Sequence, residues 1–249
     1  MSTLFVGQNK ITLHSVDSTN NYAANLIKTS FVPEGTVIMA QNQNYGRGQR
    51  ENKWISEPGK NLLCSYIFSP IDLNASSSFY LSMISALAAK ETIEHFCSDS
   101  RVQVKWPNDI MLNDKKVGGI LIENSIVKKD IKFSVIGIGL NINQTEFNYS
   151  NATSVCLVSR SVRDLDKVLN TLNEKLEKWY LQRLQKGMDK IVYEYNECLW
   201  KRFESISAQL HEGNRSVKIQ EVKPDGDLIY LSGNQILQSR HGQIKLNYE

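Results

Sequence analysis

Two apolar runs in this chain carry glycines where a buried strand would ordinarily exclude them: Lys116-Val117-Gly118-Gly119-Ile120-Leu121 and Gly137-Ile138-Gly139-Leu140-Asn141. Glycine weakens a strand through backbone entropy and lost packing, so its presence implies close approach of a ligand or of another backbone. Two cationic segments precede these runs in order. They are Gly46-Arg47-Gly48 leading to Lys53-Trp54, and Lys105-Trp106-Pro107-Asn108-Asp109. Taken singly, strand packing explains the glycines and a solvated turn explains Gly-Arg-Gly. Four such segments in one order instead describe a partly dry cleft suited to gathering phosphates and a carboxylate.

The surrounding pattern is mixed α+β. Asp17-Ser18-Thr19-Asn20 precedes Tyr22, Ala23, Leu26 and Ile27 on a helical period, with Ser18 or Asp17 as N-cap. Residues 36–40 and 62–68 read as strands bracketing a polar loop over 42–60. Residues 77–97 read as a helix, and strands follow over 102–106, 119–123 and 132–137. Helices are predicted over 164–185 and 189–200. Beyond residue 203, short strands over 217–222, 228–231 and 243–247 alternate with Pro224-Asp225-Gly226 and Ser232-Gly233-Asn234 turns. The expected division is therefore a main domain over 1–203 and a small antiparallel barrel over 204–249.

Glycines 46 and 48 let backbone N–H groups approach an anion, and Arg47 can fork onto a carboxylate or phosphate. Gln49, Arg50 and Lys53 complete that polar loop, while Trp54 either stacks on a purine or packs beneath it. In the second segment Pro107 ends the strand, because it lacks an amide donor. Lys105, Asn108 and Asp109 are thus presented at a strand end. An ordinary Asn-Asp turn accounts for Asn108, but not for a strand that ends in Lys-Trp-Pro. Gly137-x-Gly139-x-Asn141 lacks the third glycine and the helix of a dinucleotide fingerprint. Asn141 remains available as a ribose or phosphate partner.

Composition excludes other classes. A net charge of +3 gives no general attraction to nucleic acid. No apolar run approaches the length of a membrane span, and no secretory leader is evident. Four scattered cysteines without a Cys-x-x-Cys pair read as reduced thiols, and four histidines show no metal-ligand spacing. A cytoplasmic protein without a structural metal is expected.

On Ser18-Thr19-Asn20, Gln43, Gly46-Arg47-Gly48, Lys53-Trp54, Lys105-Trp106-Pro107-Asn108-Asp109, Lys116-x-Gly118-Gly119-Ile120-Leu121 and Gly137-x-Gly139-x-Asn141, the chain resembles the biotin protein ligase family. Order and spacing agree from about residue 14 to 145, and 242–246 is similar to the family's last strand. The resemblance implies a mixed-sheet α+β catalytic domain, related to lipoate ligases and class II synthetases, with an SH3-like barrel after it. It implies that biotin and ATP form biotinyl-5′-AMP with Mg²⁺ on the phosphates. A lysine of a biotin carboxyl carrier domain then takes the biotinyl group. By analogy Ser18, Thr19, Asn20 and Gln43 hold the ureido ring.

Within that resemblance, drawing a carboxylate to an α-phosphate costs about 4 kcal/mol per close like-charge pair at an effective dielectric near 20. Arg47, Lys105 and Lys116 are expected to supply the compensating charge. Lys116 would bridge carboxylate and α-phosphate, Lys105 would serve the phosphates, Trp54 would cover adenine, and Asn141 would bind the nucleotide. Asp109 is expected to orient the acceptor amine, though an Asx turn explains it too. Gln49 stands where many relatives carry a second arginine, and Arg50-Glu51-Asn52 is less basic than in some, so the adenylate should leak faster. Only seventeen residues precede Ser18, too few for the DNA-binding domain of some relatives, so sequence-specific DNA binding is not expected. A homodimer is compatible with the pattern. The competing readings are a lipoate or octanoate ligase and a non-catalytic binding protein.

Overall fold

A computed structural model describes residues 3–50, 52–71, 73–185 and 187–248. Strands Lys10–Val16 (β1), Thr36–Gln43 (β2), Leu62–Phe68 (β3), Val102–Lys105 (β4), Asp109–Leu112 (β5), Lys115–Val127 (β6) and Asp130–Leu140 (β7) form one sheet. Its order is β1-β2-β3-β7-β6-β5-β4. β1 pairs with β2 in parallel and every other neighbour is antiparallel, which is the expected mixed sheet. Two of these strands were not foreseen. β1 is an edge strand with no fully buried residue, and β5 has four residues directly behind the Pro107 turn.

Alternation along the central strands divides the sheet into two faces. Ile38, Ile67 and Val135 pack with Ala23 of the helix Thr19–Thr29 (α1), joined by Tyr22, Leu26 and Ile27. Their strand neighbours Val37, Tyr66, Phe68 and Ile136 enter the larger core on the other side. There the helix Phe79–Phe96 (α2) lies against the sheet and is itself covered by Leu165–Gln185 (α4) and Asp189–Glu197 (α5). This double burial explains why α2 is apolar nearly all round, whereas α4 keeps one polar face. A short helix, Val155–Ser159 (α3), was not anticipated; Ser154 caps it by accepting from the Leu157 amide.

Strands Ser205–Leu210 (β8), Gly213–Val222 (β9), Leu228–Ser232 (β10), Gln235–Ser239 (β11) and Lys245–Leu246 (β12) form an antiparallel sheet ordered β11-β10-β9-β8-β12. β8 and β11 escaped the sequence reading because β8 buries only Ile206 and Ala208, and β11 is exposed except at Ser239. Val217, Ile219 and Tyr230 belong to the same continuous core as α2 and α4.

Hydrogen bonds at several places fasten this small sheet to the rest. After α5 the backbone runs beside β4, with Val104 N donating to Cys198 O and Trp200 N to Val104 O, both at 2.8 Å. Trp106 Nε1 donates to Gly226 O at 3.0 Å. Buried Asn196 acts as a strand partner for Val222, accepting from its amide at 2.7 Å and donating to its carbonyl at 3.0 Å. Asn196→Ala leaves both backbone groups unpaired and should lower stability by about 1–3 kcal/mol. Urea denaturation measures this, and an unchanged midpoint would contradict the clamp.

Candidate active site

Beyond the N-terminus of α1, the same face of the main sheet opens into a cavity of about 1320 Å³. That exceeds the ~300–1,000 Å³ of an ordinary small-molecule pocket. Its floor is Leu63, Gly119, Leu121, Gly137 and Gly139. The glycines make room for side chains of this chain. A Cβ at Gly137 would fall 2.3 Å from Asn20 Oδ1, and one at Gly139 would fall 2.7 Å from the Trp54 indole. Trp54 therefore lies flat on a floor of bare backbone, with Nε1 buried and unpaired among the described residues.

Three expected site residues lie away from the cavity lining. Gly118 faces the opposite side of the sheet, where a Cβ would strike Leu140. Gly46 closes the neck of the loop, accepting from Trp54 N at 2.9 Å. Asn141 is buried and gives its side-chain amide to Thr153 O at 3.0 Å, so it ties down the segment before α3.

The remaining predicted residues line one cavity: Ser18, Thr19, Asn20, Gln43, Arg47, Gly48, Gln49, Arg50, Trp54, Lys105, Asn108, Asp109, Lys116, Gly119 and Gly139. Asn108 donates to Ile120 O at 2.8 Å, so it also holds the strand end to β6. Glu51 lies outside the described residues. At the α1 end is a compact polar pocket. Gln43 Oε1 accepts from Thr19 N at 2.8 Å and from Thr19 Oγ1 at 3.1 Å. Ser65 Oγ sits 2.7 Å from Thr19 Oγ1 and 2.6 Å from Asn20 Oδ1. Asn20 Nδ2 donates to Glu123 at 2.8 Å. Ser18 occupies the N-cap position of α1 but makes no cap bond, so its buried hydroxyl is left to face the cavity.

The three cations are compensated in three different ways. Arg47 forks onto Glu123 at 2.8 and 3.2 Å and reaches Asn21 Oδ1 at 2.7 Å. Lys116 pairs with Asp109 Oδ1 at 2.6 Å. Lys105, 6% exposed, has no ion pair or hydrogen bond to a described residue. Its ammonium instead sits 3.3 Å from the Tyr248 ring centroid and 5.5 Å from that of Trp200. Aromatic faces stabilise a cation without occupying its N–H donors. Burial pulls the Lys105 pKa down to about 8; the Asp109 charge opposes that, and Lys116 and Lys245 reinforce it.

Ser65, Glu123, Trp200 and Tyr248 escaped the sequence reading, since each stands in a run that packing alone accounts for. The C-terminal sheet also reaches the basic loop. The Arg50 guanidinium rests against Gly242, where any Cβ would collide with it. Burial, then the Arg50 charge, lowers the pKa of the adjacent His241.

Lys105 should titrate near pH 8 in a lysine-resolved NMR experiment. In Asp109→Asn its pKa should fall further, since a favourable charge is lost and Lys116 is left uncompensated. A value unmoved by that substitution would contradict the coupling.

The structure thus joins a mixed sheet, a glycine-floored cavity with cations from three parts of the chain, and an appended antiparallel sheet. Residues 12–141 match the Biotin/lipoate A/B protein ligase family, and the chain belongs to that family. The bifunctional ligase/repressor BirA of Bacillus subtilis is 29% identical over 208 residues, covering 82% of this chain and 62% of its own length. The chain thus spans about three-fifths of that relative. The biotin–[acetyl-CoA-carboxylase] ligase of Paracoccus denitrificans is 33% identical over 132 residues, 52% of this chain and 53% of its own length. The biotin protein ligase of Aquifex aeolicus, solved with biotin and ATP, superposes with a TM-score of 0.80 at 25% identity, covering 97% of this chain and all of its own.

Proposed function

We propose that this chain activates biotin with ATP as biotinyl-5′-AMP and transfers it to a lysine of a biotin carboxyl carrier domain. The observation that carries the reading is one cavity holding both a polar pocket at its α1 end and an ammonium group with no hydrogen bond to a described residue. Thr19, Asn20, Gln43 and Ser65 suit a ureido ring, which both donates and accepts. The dithiolane of lipoate offers no such partner, and an unused polar pocket would be costly to bury.

In the first half-reaction a carboxylate oxygen of biotin attacks the α-phosphorus and pyrophosphate leaves. Lys116 exchanges Asp109 for the substrate, bridging carboxylate and α-phosphate as their like charges approach. Lys105 turns its N–H donors to the phosphates. Trp54 presents its outer face to adenine. Arg47 orders the loop through Glu123 and offers its remaining donors to the carboxylate. Asn141 takes no part, being committed to Thr153.

Among the described residues no cluster of three or more His, Cys, Asp or Glu could cage a metal. Mg²⁺ needs no such cage, since it retains waters and enters on nucleotide phosphates. When bound it supplies further charge neutralisation there.

The second half-reaction needs a neutral amine. At pH 7 an ordinary lysine favours its protonated form by about 4.6 kcal/mol. Asp109, released by Lys116, orients that amine and helps remove its proton.

Pyrophosphate release should require biotin and be negligible with lipoate. Lys116→Ala should slow biotinyl-AMP formation by about a hundredfold or more, on the scale of one lost charge contact in a transition state. Formation at the wild-type rate would refute the assignment. Gln49→Arg should slow escape of biotinyl-AMP into solution, because a second guanidinium holds the phosphate. Equal release rates for the two proteins, followed after a single turnover, would count against this.

A further inference from the structure

Tyr248 enters the cavity from the C-terminal sheet and touches two of the groups just assigned. Its ring covers the Lys105 ammonium at 3.3 Å from the centroid, and its hydroxyl donates to Asp109 Oδ2 at 2.6 Å. Lys116 holds the other oxygen of the same carboxylate, Oδ1, at 2.6 Å. The Asp109 plane is thus fixed from both sides, by residues more than a hundred positions apart in the chain. Asn247 secures the segment that carries Tyr248, its backbone amide donating to Ser207 O at 3.0 Å and its side chain to Ser207 Oγ at 2.9 Å. The Tyr248 ring also meets Trp200, with centroids 6.5 Å apart, so the aromatic cover over Lys105 has two walls from different parts of the fold.

We infer that Tyr248 is a positioning residue of the ligase reaction, by which the C-terminal sheet aims Lys105 at the nucleotide and holds Asp109 for the acceptor lysine. The two tasks belong to different atoms of one side chain. The ring stabilises the ammonium and keeps bulk water off it without taking a hydrogen bond that a phosphate oxygen could not displace. The hydroxyl fixes the carboxylate once Lys116 has left it for the substrate. Burial and the adjacent Asp109 charge raise the Tyr248 pKa, so the hydroxyl remains a donor throughout the working range. The inference rests on the functional reading above, and the two can fail separately.

Tyr248→Phe and Tyr248→Ala separate the tasks, and Tyr248 lies outside the strands of both sheets. With preformed biotinyl-AMP and a carrier domain, both variants should transfer about tenfold or more slowly, the scale of one hydrogen bond to a charged group. In the first half-reaction, Tyr248→Phe should keep the wild-type KM for ATP, whereas Tyr248→Ala should raise it several-fold. The NMR signal of the Lys105 ε-methylene should carry an upfield ring-current shift in the wild type and Tyr248→Phe, and lose it in Tyr248→Ala. If both variants matched the wild type in transfer and KM, the inference would be overturned. A faster Tyr248→Ala enzyme would overturn it too, since the tail would then be a plug. A wild-type chain that formed no biotinyl-AMP while showing the ring-current shift would defeat the functional reading and leave the geometry standing.

Discussion

A buried ammonium without a carboxylate of its own among the described residues is the constraint around which this cleft is built. Desolvation disfavours the charged form of Lys105, and an ordinary solution would be a salt bridge. A salt bridge would consume the donors that an incoming phosphate needs. Here the carboxylate nearby among the described residues, Asp109, is divided between Lys116 and Tyr248, and Lys105 is left to two aromatic rings. The group remains a cation at neutral pH, with its pKa pulled down only to about 8, while its hydrogen-bonding capacity is unspent.

That arrangement needs the whole fold. Lys105 and Asp109 face each other across the β4–β5 pair, and Lys116 reaches them from β6. Trp200 is brought alongside by the backbone that leaves α5 and pairs with Val104. Tyr248 arrives from the far end of the chain. The C-terminal sheet therefore contributes to the site directly, through Tyr248 at Asp109 and through Gly242 against Arg50. Its core is continuous with that of the main sheet, so its placement is backed by packing as well as by polar contacts.

Much of this was legible in the residues. The Lys-Trp-Pro-Asn-Asp segment announced a strand end, because proline enforces one. The glycine runs announced crowding on the sheet, although the crowding comes from Asn20 and Trp54, which no local pattern reveals. The bond from Asn141 to the Thr153 carbonyl was not legible, because a polar residue at a strand end looks the same whether it meets a ligand or a backbone group. β11 was missed because it lacks the apolar alternation that marks a half-buried strand, and β1 because its alternation rests on Ile11 and Leu13 alone, both only half-buried at the sheet edge. Tyr248 was missed for a different reason. Its significance lies in a contact with Asp109 spanning 139 positions, and only folding creates that.

The most direct test is a crystal structure of the chain with a non-hydrolysable biotinyl-adenylate analogue. The Lys116 ammonium should have left Asp109 for the acyl-phosphate linkage, with Lys105 donating to phosphate beneath the Tyr248 ring and the bicyclic head against Thr19 and Gln43. An analogue bound with Lys116 still paired to Asp109, and its phosphate out of reach of both lysines, would contradict the account.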